Sequence, residues 1–186
     1  MTAPEAEAAA PERQRRTYEW EPIVTDVHPL TYWSGLDYFR ALIDGTLPPQ
    51  PITETIGWTV EAVDVGYLRV SLEPGAHLLH GAGIMHGGVL ATLLDSVMSG
   101  AVMSTLPRGR GCTTLQLSVN HIQRVRPNAG RLIAEGRTYH VGGQIATANG
   151  TVHGATGRLH AHGTETCLLF DLPDPNRAGA RTEGTA

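Results

Sequence analysis

The stretch His86–Met103, which reads HGGVLATLLDSVMSGAVM, decides the fold of this chain. After its two glycines it is apolar on nearly every side of a helix, and such a helix is normally buried. Asp95 is its only formally charged side chain, and a buried carboxylate needs hydrogen-bond partners or a chemical task. The stretch therefore predicts a buried central helix with an acid in its middle. Gly87 and Gly88 let another molecule approach the backbone at its start.

Length, charge and cysteine content narrow the class of protein. The 186 residues can form one domain with a full core plus tails. A net charge of -4 and a pI near 6.1 give no argument for a nucleic-acid partner. Cys112 and Cys167 lie far apart without metal-type spacing, which predicts buried, reduced thiols. With no pattern typical of a secretory signal, we expect a cytoplasmic protein.

The segment Ile84–Leu106 is long enough to span a bilayer, so a membrane helix has to be weighed. Asp95 lies near its centre, where an acid costs about 2.5–3.5 kcal/mol on insertion, and few strongly apolar residues offset that cost. A buried helix in a soluble domain is therefore predicted, with no membrane partner.

The chain divides into one compact unit with a tail at each end. Residues 1–16 and 173–186 are polar, proline-containing and without apolar periodicity, which predicts disordered tails. Residues 17–172 are predicted to form one domain. Within it, apolar residues at helical spacing predict a helix over Tyr32–Asp44, and the proline-rich segment 48–51 then breaks the chain.

Strands account for most of the remaining sequence. Leu115, Leu117 and Val119 alternate with polar residues, which is the period of a strand with one buried face. Further strands are predicted over 58–65, 67–72, 131–141, 144–152 and 157–169, separated by turn residues. Two strands, one long helix and about four antiparallel strands predict an α+β fold in which a curved sheet of about six strands wraps the helix.

The pattern of motifs resembles the PaaI-like hotdog-fold acyl-CoA thioesterases of the phenylacetate-pathway group. The resemblance extends from about Pro49 to Leu169, and its strongest element is the HGG motif at 86–88 followed by Leu-Leu-Asp ending at Asp95. HGG alone is a weak signal. With an acid seven residues after the second glycine, in this order of elements, it becomes fairly specific.

This resemblance implies hydrolysis of acyl-CoA thioesters by a homodimer or a dimer of dimers, with the active site at the subunit interface. No cofactor or metal is implied, since the CoA thioester is the substrate. The Gly87 N–H would stabilise the oxyanion at the helix N-terminus, and Gly88 would let the substrate approach. Asp95, supplied by the other subunit, would be either the nucleophile or the general base.

Further site residues follow from the same resemblance. Thr114 matches a position where related enzymes carry a hydroxyl that assists the attacking water. Ser99, one helical turn after Asp95, is a candidate to orient that water or the carboxylate. His86 is expected to fix the turn through a hydrogen bond. Arg108 and Arg110 follow the helix and are candidates for binding CoA phosphates.

One position departs from the family pattern. Six residues before His86, where relatives usually carry Asn or Gln, this chain carries His80. An imidazole can also donate a hydrogen bond, but its charge changes near neutral pH. His80 therefore either retains the role with an altered pH dependence, accompanies weak activity on a different substrate, or is a loop histidine that faces solvent.

Two other classes of function stay open, a non-catalytic acyl-CoA-binding hotdog protein and a hotdog hydratase or dehydratase. The intact acid and glycines favour the thioesterase, and no hydratase pattern is evident. His160 and His162 form an HxH motif on one face of a strand, but no further ligand at a recognised spacing predicts a metal site.

Overall fold

Six antiparallel strands form one curved sheet in the computed structural model, which describes residues 12–23 and 28–173. The order across the sheet is β1-β2-β4-β5-β6-β3, so β1 and β3 are the edge strands. The strands are β1 (Trp58–Asp64), β2 (Tyr67–Leu72), β3 (Arg110–His121), β4 (Leu132–Val141), β5 (Ile145–His153) and β6 (Leu159–Asp171). The predicted strands are confirmed, with small differences at their ends.

The long helix α3 (Gly87–Met103) packs across the sheet, and the hydrophobic core lies between them. Leu93, Leu94, Val97 and Met98 are fully buried there. The helix comes so close to β4 that a Cβ on Gly136 would lie 2.0 Å from the carbonyl oxygen of Val97. The predicted hotdog architecture, a long central helix covered by a curved six-stranded sheet, is therefore confirmed.

Two shorter helices precede the sheet. The first, α1 (Gly35–Ile43), is capped by Ser34, whose hydroxyl accepts the N–H of Asp37, and it confirms the predicted N-terminal helix. The second, α2 (Pro51–Ile56), falls where a chain break was predicted. Pro51 is the first residue of α2. Proline is tolerated at this position because a backbone N–H there would have no partner within the helix.

A bulge in β3 changes which residues face the helix. The register between β3 and β6 shifts between Thr114 and Gln116, so Leu115 points away and is 57% exposed. Leu117 and Val119 pack against the core as expected, whereas Thr114 takes the inward place that simple alternation gives to Leu115. The alternation predicted through Leu115 is therefore wrong at that residue.

Parts of the predicted domain organisation lie outside the described residues. These are most of the N-terminal tail, residues 1–11, and nearly all of the C-terminal tail, residues 174–186. Arg16, assigned to the predicted N-terminal tail, donates to the carbonyl oxygens of Glu54 and Thr55 in α2. Across the described ranges, no helix has the length and apolarity required to cross a bilayer.

Candidate active site

The carboxylate of Asp95 lies in the middle of α3, against the edge strand β3. Thr114 reaches it from β3, with Oγ1 3.0 Å from Oδ1 of Asp95. Asp95 itself is only partly buried. The predicted acid therefore has a hydroxyl partner on one oxygen and an approach for another molecule.

The accessible side of α3 is narrow and polar. From Gly88 to Gly100, the residues that are not buried follow one another at intervals of one to three residues along one side of the helix: Gly88, Ala91, Thr92, Asp95, Ser96 and Ser99. Ser99 donates its hydroxyl to the backbone carbonyl of Asp95 at 2.6 Å, and not to the carboxylate. The structure thus brings Thr114, rather than Ser99, to the acid.

The N-terminus of α3 carries an available N–H group. His86 is the N-cap, and its Nδ1 accepts the Gly88 N–H at 3.0 Å, which agrees with the role in the turn expected for it. Within residues 12–23 and 28–173, nothing accepts a hydrogen bond from the Gly87 N–H. A free N–H at the positive end of a helix can stabilise a developing negative charge.

His121, at the end of β3, lies beside this N-terminus. A Cβ on Gly87 would lie 3.2 Å from Nε2 of His121, so any side chain at position 87 would fill the space between helix and imidazole. His121 was not singled out from the sequence, because its proximity to Gly87 depends on how β3 passes α3.

His80 lies in the tight loop that leads to the helix. Its Nδ1 accepts the Ala82 N–H at 3.0 Å, and its ring centroid is 6.4 Å from that of His86. A neutral imidazole that accepts at Nδ1 carries its proton on Nε2. His80 can therefore present an N–H donor, as an amide side chain would.

The predicted arginines lie at the opposite end of the helix from Gly87. Arg108 is exposed, and Arg110 pairs with Asp171, with Nε 3.2 Å from Oδ1, and donates to the carbonyl of Gly143. Since α3 has 17 residues, it is about 25 Å long. Within one chain these two arginines are far from the oxyanion position.

Three other arginines line an open cavity of about 630 Å³ beside the N-terminus of α3. They are Arg124, Arg126 and Arg158, and none of them forms an ion pair within the described part of the chain. The loop that carries two of them is joined to the segment before α3, because the Met85 N–H donates to the Val125 carbonyl. Uncompensated guanidinium groups of this kind suit phosphate or carboxylate groups.

Glu165, like His121 and the three cavity arginines, is a site residue that was not predicted from the sequence. It is 1% exposed on β6, and its Oε1 lies 2.7 Å from Oγ1 of Thr114. The sequence does contain an indication of it. Every second residue of the predicted strand is apolar or small at 161, 163, 167 and 169, and Glu165 is the one charged residue among them. Thr114 therefore stands between two carboxyl groups.

Neither the histidines nor the cysteines form a metal site. Among the described residues, no three His, Cys, Asp or Glu side chains come together in an arrangement that could hold a metal ion. His160 is buried, with Nδ1 3.2 Å from the Gln123 carbonyl. Cys112 and Cys167 are free thiols, and Cys167 is buried.

Comparison with known proteins finds similarity to thioesterases. Residues 82–161 match the thioesterase superfamily. A candidate esterase of Halobacterium salinarum, VNG_1336C, is 29% identical over 137 residues, which cover 71% of this chain and 89% of the relative.

Two solved structures agree with that match. A candidate thioesterase from Ralstonia eutropha JMP134, described as phenylacetic acid degradation-related, is 29% identical, with a TM-score of 0.64 over 70% of this chain and 98% of its own. The smu.793 protein of Streptococcus mutans UA159, solved bound to acetyl CoA, is 26% identical, with a TM-score of 0.57 over 62% and 90%. Together with the fold, these similarities confirm the resemblance predicted from the HGG motif and Asp95: the chain is similar to the hotdog-fold thioesterases, which are hydrolases that act on thioesters.

Proposed function

We propose that this protein hydrolyses acyl-CoA thioesters to a carboxylic acid and free CoA in the cytoplasm, acting as a homodimer or a dimer of dimers. The observation that carries the proposal is the pairing of two features on one helix. Asp95 has a partly buried carboxylate in contact with Thr114, and the Gly87 N–H at the helix N-terminus has no acceptor in the part of the chain that the structure describes. These are the two groups that acyl transfer to water requires.

The chemistry assigns each group a role. The thioester carbonyl oxygen would accept the Gly87 N–H, which stabilises the negative charge that develops on it. Asp95 would either take a proton from the attacking water or attack the carbonyl carbon itself. If water attacks, its oxygen bonds to the carbonyl carbon as the carbon–sulfur bond breaks, and the leaving sulfur takes up the proton that Asp95 removed. If Asp95 attacks, the carbon–sulfur bond breaks as an acyl-Asp95 anhydride forms, the sulfur takes up a proton from water, and a second water hydrolyses the anhydride to the carboxylic acid and restores Asp95.

Distance argues that two copies of the chain build each site. Gly87 and Asp95 are eight residues apart in α3, which is about 12 Å along the helix axis. Reacting atoms must come within about 3–3.5 Å of each other. One thioester therefore cannot contact both groups of the same chain. Each active site would combine Asp95 of one copy with Gly87 of the other.

The free edge of β3 offers a way to bring the copies together. Asp95 is beside Thr114, and Gly87 is beside His121, at two positions of the same strand that both face α3. If two β3 strands pair antiparallel with Thr114 opposite His121, each Asp95 lies next to the Gly87 of the other copy. Twofold symmetry then builds two equivalent sites.

The flanking residues fit supporting roles. His86 caps α3 and keeps Gly87 and Gly88 in place. His80 would provide an N–H donor from Nε2, in place of the amide of related enzymes, because its Nδ1 is occupied by Ala82. Ser99 would act only through the backbone of Asp95, to whose carbonyl it donates.

A CoA ester as substrate is supported by the arginine cavity and by the relative solved with acetyl CoA. CoA carries several phosphate groups, and Arg124, Arg126 and Arg158 are free to bind them. If the two β3 strands pair in this way, Arg108 and Arg110 of the second copy would lie towards the end of β3 that continues into the loop with Arg124 and Arg126. All five arginines would then surround the nucleotide.

Thiol release from a panel of short-chain, long-chain and aromatic acyl-CoAs tests the proposal. Wild-type protein should release free CoA, and Asp95→Asn should lower kcat by about 10²-fold or more, the scale of losing a general base. Asp37→Asn, which removes an exposed helix carboxylate, is the matched control and should be unaffected. Binding of acyl-CoA without thiol release would favour a binding protein, and addition of water to an enoyl-CoA would favour a hydratase.

A further inference from the structure

Glu165 occupies an unusual place in the sheet. The side chains of β6 that face α3 are otherwise small or apolar, namely Ala161, Gly163, Cys167 and Leu169. Glu165 lies in the middle of this row and is as buried as they are. A carboxyl group in such a position is costly unless it is neutral or well hydrogen-bonded, so its contacts decide what it does.

Those contacts connect Glu165 to the candidate catalytic acid. Its Oε1 lies 2.7 Å from Oγ1 of Thr114 and accepts the Cys167 thiol at 3.1 Å. The same Thr114 oxygen lies 3.0 Å from Oδ1 of Asp95. Oε2 of Glu165 has no hydrogen-bond partner within residues 12–23 and 28–173. A continuous series of hydrogen-bond contacts therefore connects Glu165 through Thr114 to Asp95.

The number of protons on these three side chains determines which group donates in each hydrogen bond. The Thr114 hydroxyl has one proton and cannot donate to both carboxyl groups. If both acids were ionised, one of its two short oxygen contacts would lack a proton. A proton on Oε1 of Glu165 removes the conflict, because Glu165 then donates to Thr114 and Thr114 donates to Asp95. A proton on Oε2 would leave the conflict in place, because Thr114 would still face two oxygens that only accept.

The surroundings favour the neutral form of Glu165. Burial raises its pKa from 4.5 to about 7, the nearby charge of Asp95 adds to the rise, and the contacts with Thr114, Cys167 and the backbone of Ser99 oppose it. The ionisable groups near it are Asp95 on α3, Cys112 on β3 and Cys167 on β6. The paired segment of β5, residues 146–150, contains none. No arginine, lysine or histidine of the described residues contributes to this shift, so no positive charge offsets an ionised Glu165.

We propose that Glu165 is a positioning residue for thioester hydrolysis: its protonated carboxyl directs the Thr114 hydroxyl towards Oδ1 of Asp95 and leaves Oδ2 free for the reaction. This inference rests on the proposed thioesterase function and adds to it a second, buried acid. Glu165 touches no substrate in this arrangement. When it ionises, it competes with Asp95 for the one Thr114 proton, and the orientation of Asp95 is lost.

The test compares Glu165→Gln and Glu165→Leu with wild type by their pH profiles of thiol release. Wild-type kcat should decline as the pH rises through about 7. Glu165→Gln keeps an N–H donor for Thr114 at every pH, so its kcat at pH 6 should stay within about twofold and the decline near pH 7 should vanish. Glu165→Leu should lose about tenfold in kcat at pH 6 with little change in KM, since a hydrogen bond to a charged group is lost from the chain.

A control and a spectroscopic readout make the test specific. Glu135→Gln, on β4, removes another strand carboxylate and should leave the decline in place. Wild type should also show the infrared carbonyl band of a protonated carboxyl group, which disappears as the pH rises through about 7 and is absent in Glu165→Gln. This band does not depend on activity.

The outcomes separate the two claims. Thiol release by wild type, with the same pH profile in Glu165→Gln or full kcat in Glu165→Leu, would overturn the role of Glu165 and leave the thioesterase intact. Failure of wild type to release thiol from any acyl-CoA would overturn the proposed function, and with it a positioning role in that reaction, even if the infrared band is present.

Discussion

The Thr114 hydroxyl lies 3.0 Å from Oδ1 of Asp95, so the central helix and the free edge strand meet at the candidate catalytic acid. This contact explains how an acid in an apolar helix is tolerated. It also requires the bulge between Thr114 and Gln116, because regular alternation would turn Thr114 outward and Leu115 inward.

Replacing Thr114 tests whether that contact matters for catalysis. Thr114→Val keeps the size of the side chain but removes the donor to Asp95, so kcat should fall by about tenfold or more, as expected when a carboxylate loses a hydrogen bond. Thr114→Ser keeps the hydroxyl and should retain most of the activity. Steady-state thiol release measures both, and equal activity of the Val variant and wild type would remove Thr114 from the mechanism.

The edge of β3 should be the dimer interface. Ser118 is exposed near the centre of the proposed pairing, so Ser118→Glu places two like charges close together and should yield monomers with little activity. Thr59→Glu puts the same charge on the exposed face of the opposite edge strand, β1, and serves as the control. Light scattering coupled to size exclusion gives the mass; an active monomer of Ser118→Glu would be incompatible with shared sites.

The arginine cavity predicts a preference for the nucleotide part of the substrate. Exchanging Arg124 and Arg126 together for Gln should raise KM for an acyl-CoA by about tenfold or more, because charge-assisted contacts with phosphate are lost. KM for the corresponding acyl-pantetheine, which lacks the nucleotide, should not change. A parallel rise for both substrates would show that these arginines do not bind the phosphates.

The raised pKa of Glu165 predicts a stability change with pH of definite sign. Between pH 4.5 and about 7 the folded state holds a proton on Glu165 that the unfolded chain has released. The free energy of unfolding attributable to this group is therefore largest below pH 4.5 and falls as the pH rises to about 7. Urea unfolding at several pH values measures it, with Glu165→Gln as the reference. Identical pH slopes for the two proteins would contradict the assignment.

Much of the fold and part of the site could be predicted from the sequence, for physical reasons. Periodicity and turn residues determine where helices and strands lie, and the charge of Asp95 in an apolar helix marks it without any structure. Periodicity does not identify the residues around Asp95: Thr114, predicted only from the family resemblance, is 19 residues from Asp95, and Glu165, which was not predicted, is 51 residues from Thr114. Thr114 faces Asp95 because the register of β3 shifts by one residue between Thr114 and Gln116. The alternation of Leu115 and Leu117 in the sequence does not predict this shift.

Arg110 illustrates the same limit on the substrate side. Its position just after the helix suggested phosphate binding, yet in its own chain it pairs with Asp171 at the end far from Gly87. The arginines that lie near the helix N-terminus come from the loop after β3 and from the β5–β6 turn. The hydrogen bond from the Met85 N–H to the Val125 carbonyl joins the loop after β3 to the segment before α3, and Arg158 lines the same cavity from the β5–β6 turn.

Mixing two inactive variants tests the central claim most directly, since each site is proposed to combine Asp95 of one copy with Gly87 of the other. Asp95→Asn removes the acid, and Gly87→Val fills the space beside His121; Gly81→Ala, in open space in the same loop, is the control for a glycine exchange. After the two variants are unfolded together and refolded, mixed dimers have one intact site. About a quarter of wild-type thiol release should return, because half of the dimers are mixed and one of their two sites is whole. Recovery of no activity, with mixed dimers shown to be present by mass, would contradict the shared site.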